Sequence, residues 1–348
     1  MIRGLYVDRP LHVTFREEPC PMLQAGDLCI RSEFASIKHG TDFHIFSGQS
    51  PFEDRRFDPE LRLFVPKEPM GQPAEALNRS IGNMVVGSVA RAGEGVTRFA
   101  PGDRVFCYGP VCDYVIRNEA QVEPLLPPMT APDAVCLDPA LYAYAAIRDA
   151  KPSVGDNVVV FGLGAIGIFV VQLFKLSGCL NIIAVDTIAK RRRLAEQYGA
   201  TQVLDPALCD VAMEIRGRLG QGADLAIEAS GHYKALAEAM RAVQKCARIV
   251  TLGYYKGKGV DLELGAEWLH NRLELICSMP VWDNPSREYP IWDRQRMERT
   301  LVTLFCEKQL RSQGILDPVV DFADSDQAFM RIYHDPSDAI KLGIRFPA

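Results

Sequence analysis

The sequence predicts an α/β protein of two domains, a β-rich one followed by a doubly wound parallel sheet. Three observations carry this. A chain of 348 residues is long for a single hydrophobic core. Up to about residue 150 the pattern is short strands broken by Gly and Pro. Beyond Lys151-Pro152-Ser153-Val154-Gly155-Asp156, continuous Val/Ile runs alternate with amphipathic helical patterns, as strands buried on both faces of a parallel sheet require.

In the first part, residues 28–34, 84–91 and 104–108 read as strands, with a turn at Pro101-Gly102-Asp103-Arg104. The second part opens on the strand Asn157-Val158-Val159-Val160-Phe161 and a helix over 165–177. Next come a strand over 182–186, a helix over 190–198, a strand over 224–228, a helix over 233–243 and a strand over 248–252, the unit ending near Leu275-Ile276-Cys277. A helix over 295–308, a strand at Val319-Val320, a helix over 326–333 and a strand over 340–345 complete the chain. The expected division is 1–150, 151–285 and 286–348, the last segment packing back on the first domain and leaving a cleft between two lobes.

Hydrophobic residues make up 48% of the chain and charged residues 24%, a globular composition. The net charge of -5 argues against a binder of phosphate backbones, so nucleic acid is excluded and a small molecule is expected as partner. Ten cysteines without a C-x-x-C pair read as free thiols in a reducing compartment. No apolar run approaches the ~20 residues of a membrane span, and the acidic Asp8 falls where a signal peptide needs an apolar run, so the expectation is a cytoplasmic protein.

The most specific motif is Gly162-Leu163-Gly164-Ala165-Ile166-Gly167. It follows a buried strand, opens a helix, and precedes a second strand ending in Asp186 about twenty residues on, the context of a dinucleotide site. Gly162 allows the tight turn, Gly164 lets the backbone approach a pyrophosphate, and Gly167 permits close helix packing. The helix N-terminus, starting at Ala165 and Ile166, offers N–H donors and partial positive charge to phosphates. Asp186 accepts hydrogen bonds from ribose hydroxyls and repels a 2′-phosphate, favouring NAD over NADP. Lys190, Arg191, Arg192 and Arg193 read as a solvated helix face, with Arg191 the one placed to hold a phosphate.

This fingerprint, the segment Asp224-Leu225-Ala226-Ile227-Glu228-Ala229-Ser230-Gly231 and the segment Ile249-Val250-Thr251-Leu252-Gly253 together resemble the medium-chain dehydrogenase/reductase superfamily over essentially the whole chain. Gly40-Thr41-Asp42-Phe43-His44 and residues 82–95 are most similar to its zinc-dependent polyol, sorbitol and threonine dehydrogenase branch. The resemblance implies a GroES-like catalytic domain, a Rossmann domain and a homodimer or homotetramer. It adds Ser230 and Gly253 to the cofactor side.

That branch holds a catalytic zinc on a Cys, the His of a Gly-His-Glu triplet, and a third acidic or thiol ligand. Here those positions read His39, Gly82-Asn83-Met84 and Asp138-Pro139, and the cluster of four cysteines that holds a structural zinc is missing. An amide oxygen is a poor substitute for imidazole. No tight zinc is therefore expected, and any residual metal would sit on His39 and Asp138. Without it, a cationic Lys38 or protonated His39 would stabilise a developing alkoxide, and Thr41 with His44 would relay the hydroxyl proton. The polar stretch between His44 and Gly82, with Glu53, Asp54, Arg55, Arg56 and Glu68, reads as an insertion or a lid over a hydroxyl-rich or anionic substrate.

The expected activity is NAD-linked interconversion of a secondary alcohol and a ketone on a sugar, cyclitol or polyol. Two alternatives remain open on sequence: an NADPH-dependent reductase of activated C=C bonds or quinones, and a dinucleotide-binding redox sensor without catalysis.

Overall fold

The computed structural model describes residues 1–48, 55–67, 79–255, 257–279, 287–288 and 290–347. The first half contains β1 (Ile2–Arg9), β2 (His12–Glu18), β3 (Asp27–Ser36), α1 (His39–Ser47), β4 (Arg55–Asp58), β5 (Leu63–Pro66), β6 (Arg79–Ser80), β7 (Met84–Ala92), β8 (Arg104–Tyr108), β9 (Tyr114–Asn118) and β10 (Val122–Pro124). Two helices follow, α2 (Ala131–Val135) and α3 (Leu137–Ala150). The second half contains β11 (Asn157–Phe161), α4 (Ala165–Leu176), β12 (Asn181–Val185), α5 (Ala189–Tyr198), β13 (Gln202–Leu204), α6 (Val211–Leu219), β14 (Ala223–Glu228), α7 (Tyr233–Ala242), β15 (Val243–Thr251), α8 (Glu267–His270) and β16 (Glu274–Cys277). The tail is α9 (Arg294–Cys306), β17 (Leu316–Asp321), α10 (Ser325–His334) and β18 (Lys341–Arg345).

The second-half sheet has the order β13-β12-β11-β14-β15-β16, parallel throughout. Its chain order reverses between β11 and β14, which opens a crevice at the carboxyl ends of those strands. Val158, Val159 and Val160 of β11 are completely buried, because helices cover both faces. Each such side chain contributes roughly 1.5–3 kcal/mol by leaving water.

The β-rich lobe is built on the path β10-β8-β7-β3-β18-β17, with β9 also pairing β3. The tail pairs with this sheet: β18 runs antiparallel to β3, and β17 parallel to β18. Composition divided the chain at 150 and 286, but packing crosses both points. Helix α3 packs against α4 and α9, and its buried face joins Phe169, Leu301 and Phe305 in one core.

Of the stretch between His44 and Gly82, read as an insertion or a lid, residues 45–48, 55–67 and 79–81 are described, and β4 and β5 pair there as an antiparallel hairpin. Glu53, Asp54 and Glu68 lie outside the described residues. Among the described residues no helix is long and apolar enough to cross a membrane.

Candidate active site and coenzyme cleft

At the crevice, Gly162 adopts φ +87° and ends β11, and a Cβ there would stand 2.7 Å from Ser230. A Cβ on Gly167 would stand 1.9 Å from the Gly162 carbonyl, so only glycine lets α4 close onto the turn. Gly164 is different. It caps α4 without a side-chain hydrogen bond, and a Cβ there would meet nothing within 4 Å. An open, uncapped helix start is what a pyrophosphate needs, so the fingerprint fits a dinucleotide.

Asp186 closes β12 and is buried; its Oδ2 accepts the Leu163 N–H at 2.7 Å and its Oδ1 the Ile188 N–H at 2.8 Å. Each oxygen keeps a further lone pair for a ribose hydroxyl. The following basic run is not a solvated face, contrary to the sequence reading. Lys190 pairs with Asp317 at 2.7 Å and Asp338 at 3.0 Å, and Arg192 with Asp205 at 2.9 Å. Arg191 lies 3.7 Å from Asp186 and donates to the Ala339 carbonyl across the cleft. Only Arg193 of the four is exposed. Periodicity on α5 could not reveal this, since the partners come from other elements, Asp205 beyond β13 and Asp317, Asp338 and Ala339 in the tail.

Sequence reasoning missed Glu228, the last residue of β14. It is fully buried and accepts from the Ser230 N–H at 2.7 Å, the Ser230 hydroxyl, the Gly231 N–H and the Tyr255 hydroxyl. Burial pushes its carboxyl above the ordinary range, although these donors oppose the shift. Glu228 thereby fixes the turn that packs on Gly162, and Gly253 sits against the same turn, where a Cβ would stand 2.2 Å from the Gly231 nitrogen. A carboxylate ending an apolar strand was the available signal.

On the catalytic side, a cavity of about 410 Å³ is lined by Lys38, Asn83, Tyr108, Asp138, Tyr142 and Arg294. Lys38 precedes α1 and sends its Nζ 3.1 Å from the Asp138 carboxylate and 4.0 Å over the Tyr142 ring. Asp138 and Tyr142 share one face of α3, four residues apart. Asn83, just before β7, donates to Asp138 Oδ2 at 2.9 Å. Burial disfavours the Lys38 charge, but Asp138 and Tyr142 outweigh it and hold the ammonium above its usual pKa. Desolvation also raises the Tyr108 phenol, with Asp138 adding to it, so the phenol stays protonated; it accepts from Arg294 Nη2 at 3.0 Å.

Two of the three positions at which the resemblance looks for zinc ligands, Asn83 and Asp138, thus meet each other and a lysine. An ammonium, an amide and one carboxylate do not make a zinc ligand set, which wants several thiolate, imidazole or carboxylate donors. Among the described residues no group of three or more His, Cys, Asp or Glu is arranged to hold a metal.

The fallback pairing of His39 with Asp138 is not what the structure brings together. His39 starts α1, turns away from the cavity, stacks on Phe43 with centroids 5.0 Å apart, and accepts the Leu342 N–H on Nε2 at 3.1 Å. Burial, then Lys341 and Arg191, lower its pKa to about 3. A neutral imidazole tying α1 to β18 replaces the expected cation. The sign of its linkage is definite: the folded pKa lies below the unfolded one, so its contribution is full above about 6.5 and is lost as pH falls towards 3. Thermal melts of His39→Gln, whose amide still accepts from Leu342, should show a shallower stability loss from pH 7 to pH 4 than the parent, by roughly 3 kcal/mol. Parallel curves would separate His39 from acid lability.

Thr41 is exposed on α1, and neither it nor His44 lines the cavity. His44 is buried, its Nδ1 bonded to the Gly40 carbonyl and its ring edge-on to Tyr254 at 4.5 Å, beside Gly253. The structure therefore places His44 towards the coenzyme cleft and Lys38 in the cavity. Asp42, between them in sequence, is buried and accepts the Lys38 N–H at 2.7 Å, which fixes the turn that aims the lysine.

Comparison with known proteins agrees with this architecture. Residues 24–136 match the alcohol dehydrogenase GroES-like domain and residues 165–280 the zinc-binding dehydrogenase domain. D-guloside 3-dehydrogenase of Escherichia coli K12 is 38% identical over 329 residues, covering 92% of this chain and 93% of that protein. The (R,R)-butanediol dehydrogenase of Bacillus subtilis is 26% identical over 271 residues, covering 70% of this chain and 74% of the relative. Among solved structures, an Escherichia coli oxidoreductase/dehydrogenase of unknown specificity, ECK1772, superposes with a TM-score of 0.80 at 20% identity, covering 100% of this chain and 99% of the other. The chain belongs to the zinc-type medium-chain dehydrogenase/reductase superfamily and is an oxidoreductase.

Proposed function

We propose that the protein interconverts a secondary alcohol and a ketone on a hydroxyl-rich sugar derivative, with NAD(H) as coenzyme and the Lys38 ammonium in place of a catalytic zinc. The observation that carries this reading is the Lys38–Asp138–Asn83 cluster at the foot of the cavity. Bound NAD supplies or accepts the hydride. Lys38 is a desolvated cation with a free donor for the substrate oxygen: it stabilises the alkoxide character of the transition state and holds the proton that the ketone gains on reduction. In the oxidising direction the same proton returns to the lysine. Asp138 keeps the ammonium charged and aimed, and Asn83 holds Asp138.

A glycoside or polyol suits a cavity whose walls present an amide, a phenol, a guanidinium and a carboxylate, since each hydroxyl finds a partner. The 38% identical relative, named for oxidation of a D-guloside, supports the same class. NAD is the favoured coenzyme because Asp186, ending the strand that follows the glycine turn, would accept ribose hydroxyls and repel a 2′-phosphate, with Arg191 already engaged by Asp186 and Ala339.

The test is metal analysis of the purified protein together with coenzyme-linked oxidation of methyl glycosides and polyols. Turnover with NAD at substoichiometric zinc, undiminished by a chelator, is the expected result. Stoichiometric zinc whose removal abolishes and whose return restores turnover would overturn it.

A further inference from the structure

Away from the cleft, Cys29 lies on β3 directly opposite Arg91 on β7. It is buried, held between β7 and β9. Cys20 is half-buried in the connection between β2 and β3. One guanidinium serves both: Arg91 Nη2 is 3.5 Å from the Cys20 sulfur and 4.0 Å from the Cys29 sulfur. The Cys20 thiol is also near enough to Cys29 to add to the upward push on its pKa. Two sulfurs on one exposed cation, one in a strand and the other in a connecting loop, are the arrangement of a dithiol that can close.

We propose that Cys20 and Cys29 form a peroxide-responsive dithiol that oxidises to an intramolecular disulfide, with Arg91 stabilising the thiolates. The chemistry balances with a hydroperoxide as oxidant. The Cys20 thiolate attacks the peroxide oxygen, the O–O bond breaks, and Cys20 becomes a sulfenic acid while water or an alcohol departs. The Cys29 thiolate then attacks the Cys20 sulfur, the S–S bond forms, and hydroxide leaves and is protonated to water. Two thiol hydrogens and two electrons pass to the peroxide. Cys20 takes the first step because it is the more exposed and lies nearer the guanidinium, whereas burial raises the Cys29 thiol.

The sequence offers a direct assay. Trypsin releases Glu17–Arg31 as one peptide holding Cys20 and Cys29 and no other cysteine. The full-length protein is treated with hydrogen peroxide, alkylated with iodoacetamide and digested. The expected peptide carries no alkyl group, is lighter by two hydrogens, and becomes doubly alkylatable after dithiothreitol. Oxidation of Met22 in the same peptide adds an oxygen and is distinguished by mass. In Cys20→Ser, Cys29 should stay alkylatable, and Arg91→Ala should slow closure ~10-fold without changing alkylation of the exposed Cys246. Double alkylation at peroxide doses that oxidise Cys246 and Cys277 would overturn the proposal, as would Cys20 sulfinic acid beside an alkylated Cys29.

Discussion

Lys38→Met should lower kcat about 10³-fold, the loss seen when a preorganised donor to a developing oxyanion is removed, equivalent to about 4 kcal/mol. NADH affinity, measured by fluorescence titration, should be unchanged, because Lys38 faces the substrate cavity and not the Gly162 turn. Lys38→Arg keeps the charge but brings a planar fork where a compact ammonium fits over Tyr142, so only partial recovery is expected. The pH profile has a definite sign. With the lysine pKa raised, the ammonium persists through neutrality, so ketone reduction should be flat there and fall only in strong alkali. Alcohol oxidation, which must return a proton to Lys38, should rise with pH throughout that range. A methionine variant within tenfold of the parent would remove Lys38 from the chemistry.

Glu228→Gln should weaken NADH binding at least tenfold and lower the melting temperature, with Glu228→Ala worse in both. The carboxylate accepts from Ser230, Gly231 and Tyr255 inside a completely buried site. A glutamine puts an NH₂ donor against those donors, and alanine leaves them without any acceptor, a cost of about 2–4 kcal/mol. The turn they shape contacts Gly162, so binding and stability should fall together. Parental binding and melting in Glu228→Gln would show that the carboxylate is dispensable.

The two effects differ in how far the sequence announced them. The strand–glycine turn–helix unit was legible because its parts are local: a valine-rich strand, three glycines and the start of the helix lie within eleven residues, and Asp186 follows at a fixed distance along one βαβ unit. The departures at His39, Asn83 and Asp138 were legible too, as a broken ligand pattern. What they had become was not. Lys38, Asn83 and Asp138 are up to a hundred residues apart and meet only when α3 docks beside the turn after β3. The sequence treated His39 and Lys38 alike as cations near a vacated site, yet α1 begins between them and sends one side chain to β18 and the other to the cavity. Likewise Lys190 and Arg191 looked solvated because acidic and carbonyl partners arrive from the tail, and Arg192 because Asp205 lies in another element.

By itself, then, the sequence determined the parallel sheet and the glycine turn that opens α4, and it put a histidine, an asparagine and an aspartate where the family resemblance looks for zinc ligands, since periodicity, glycine geometry and donor chemistry act over short spans. Only the tertiary structure decided that a lysine stands with Asn83 and Asp138, that His39 is neutral, and that Glu228 braces the cleft. Those are consequences of burial and of charges brought together from distant segments, and burial and distance are set by packing.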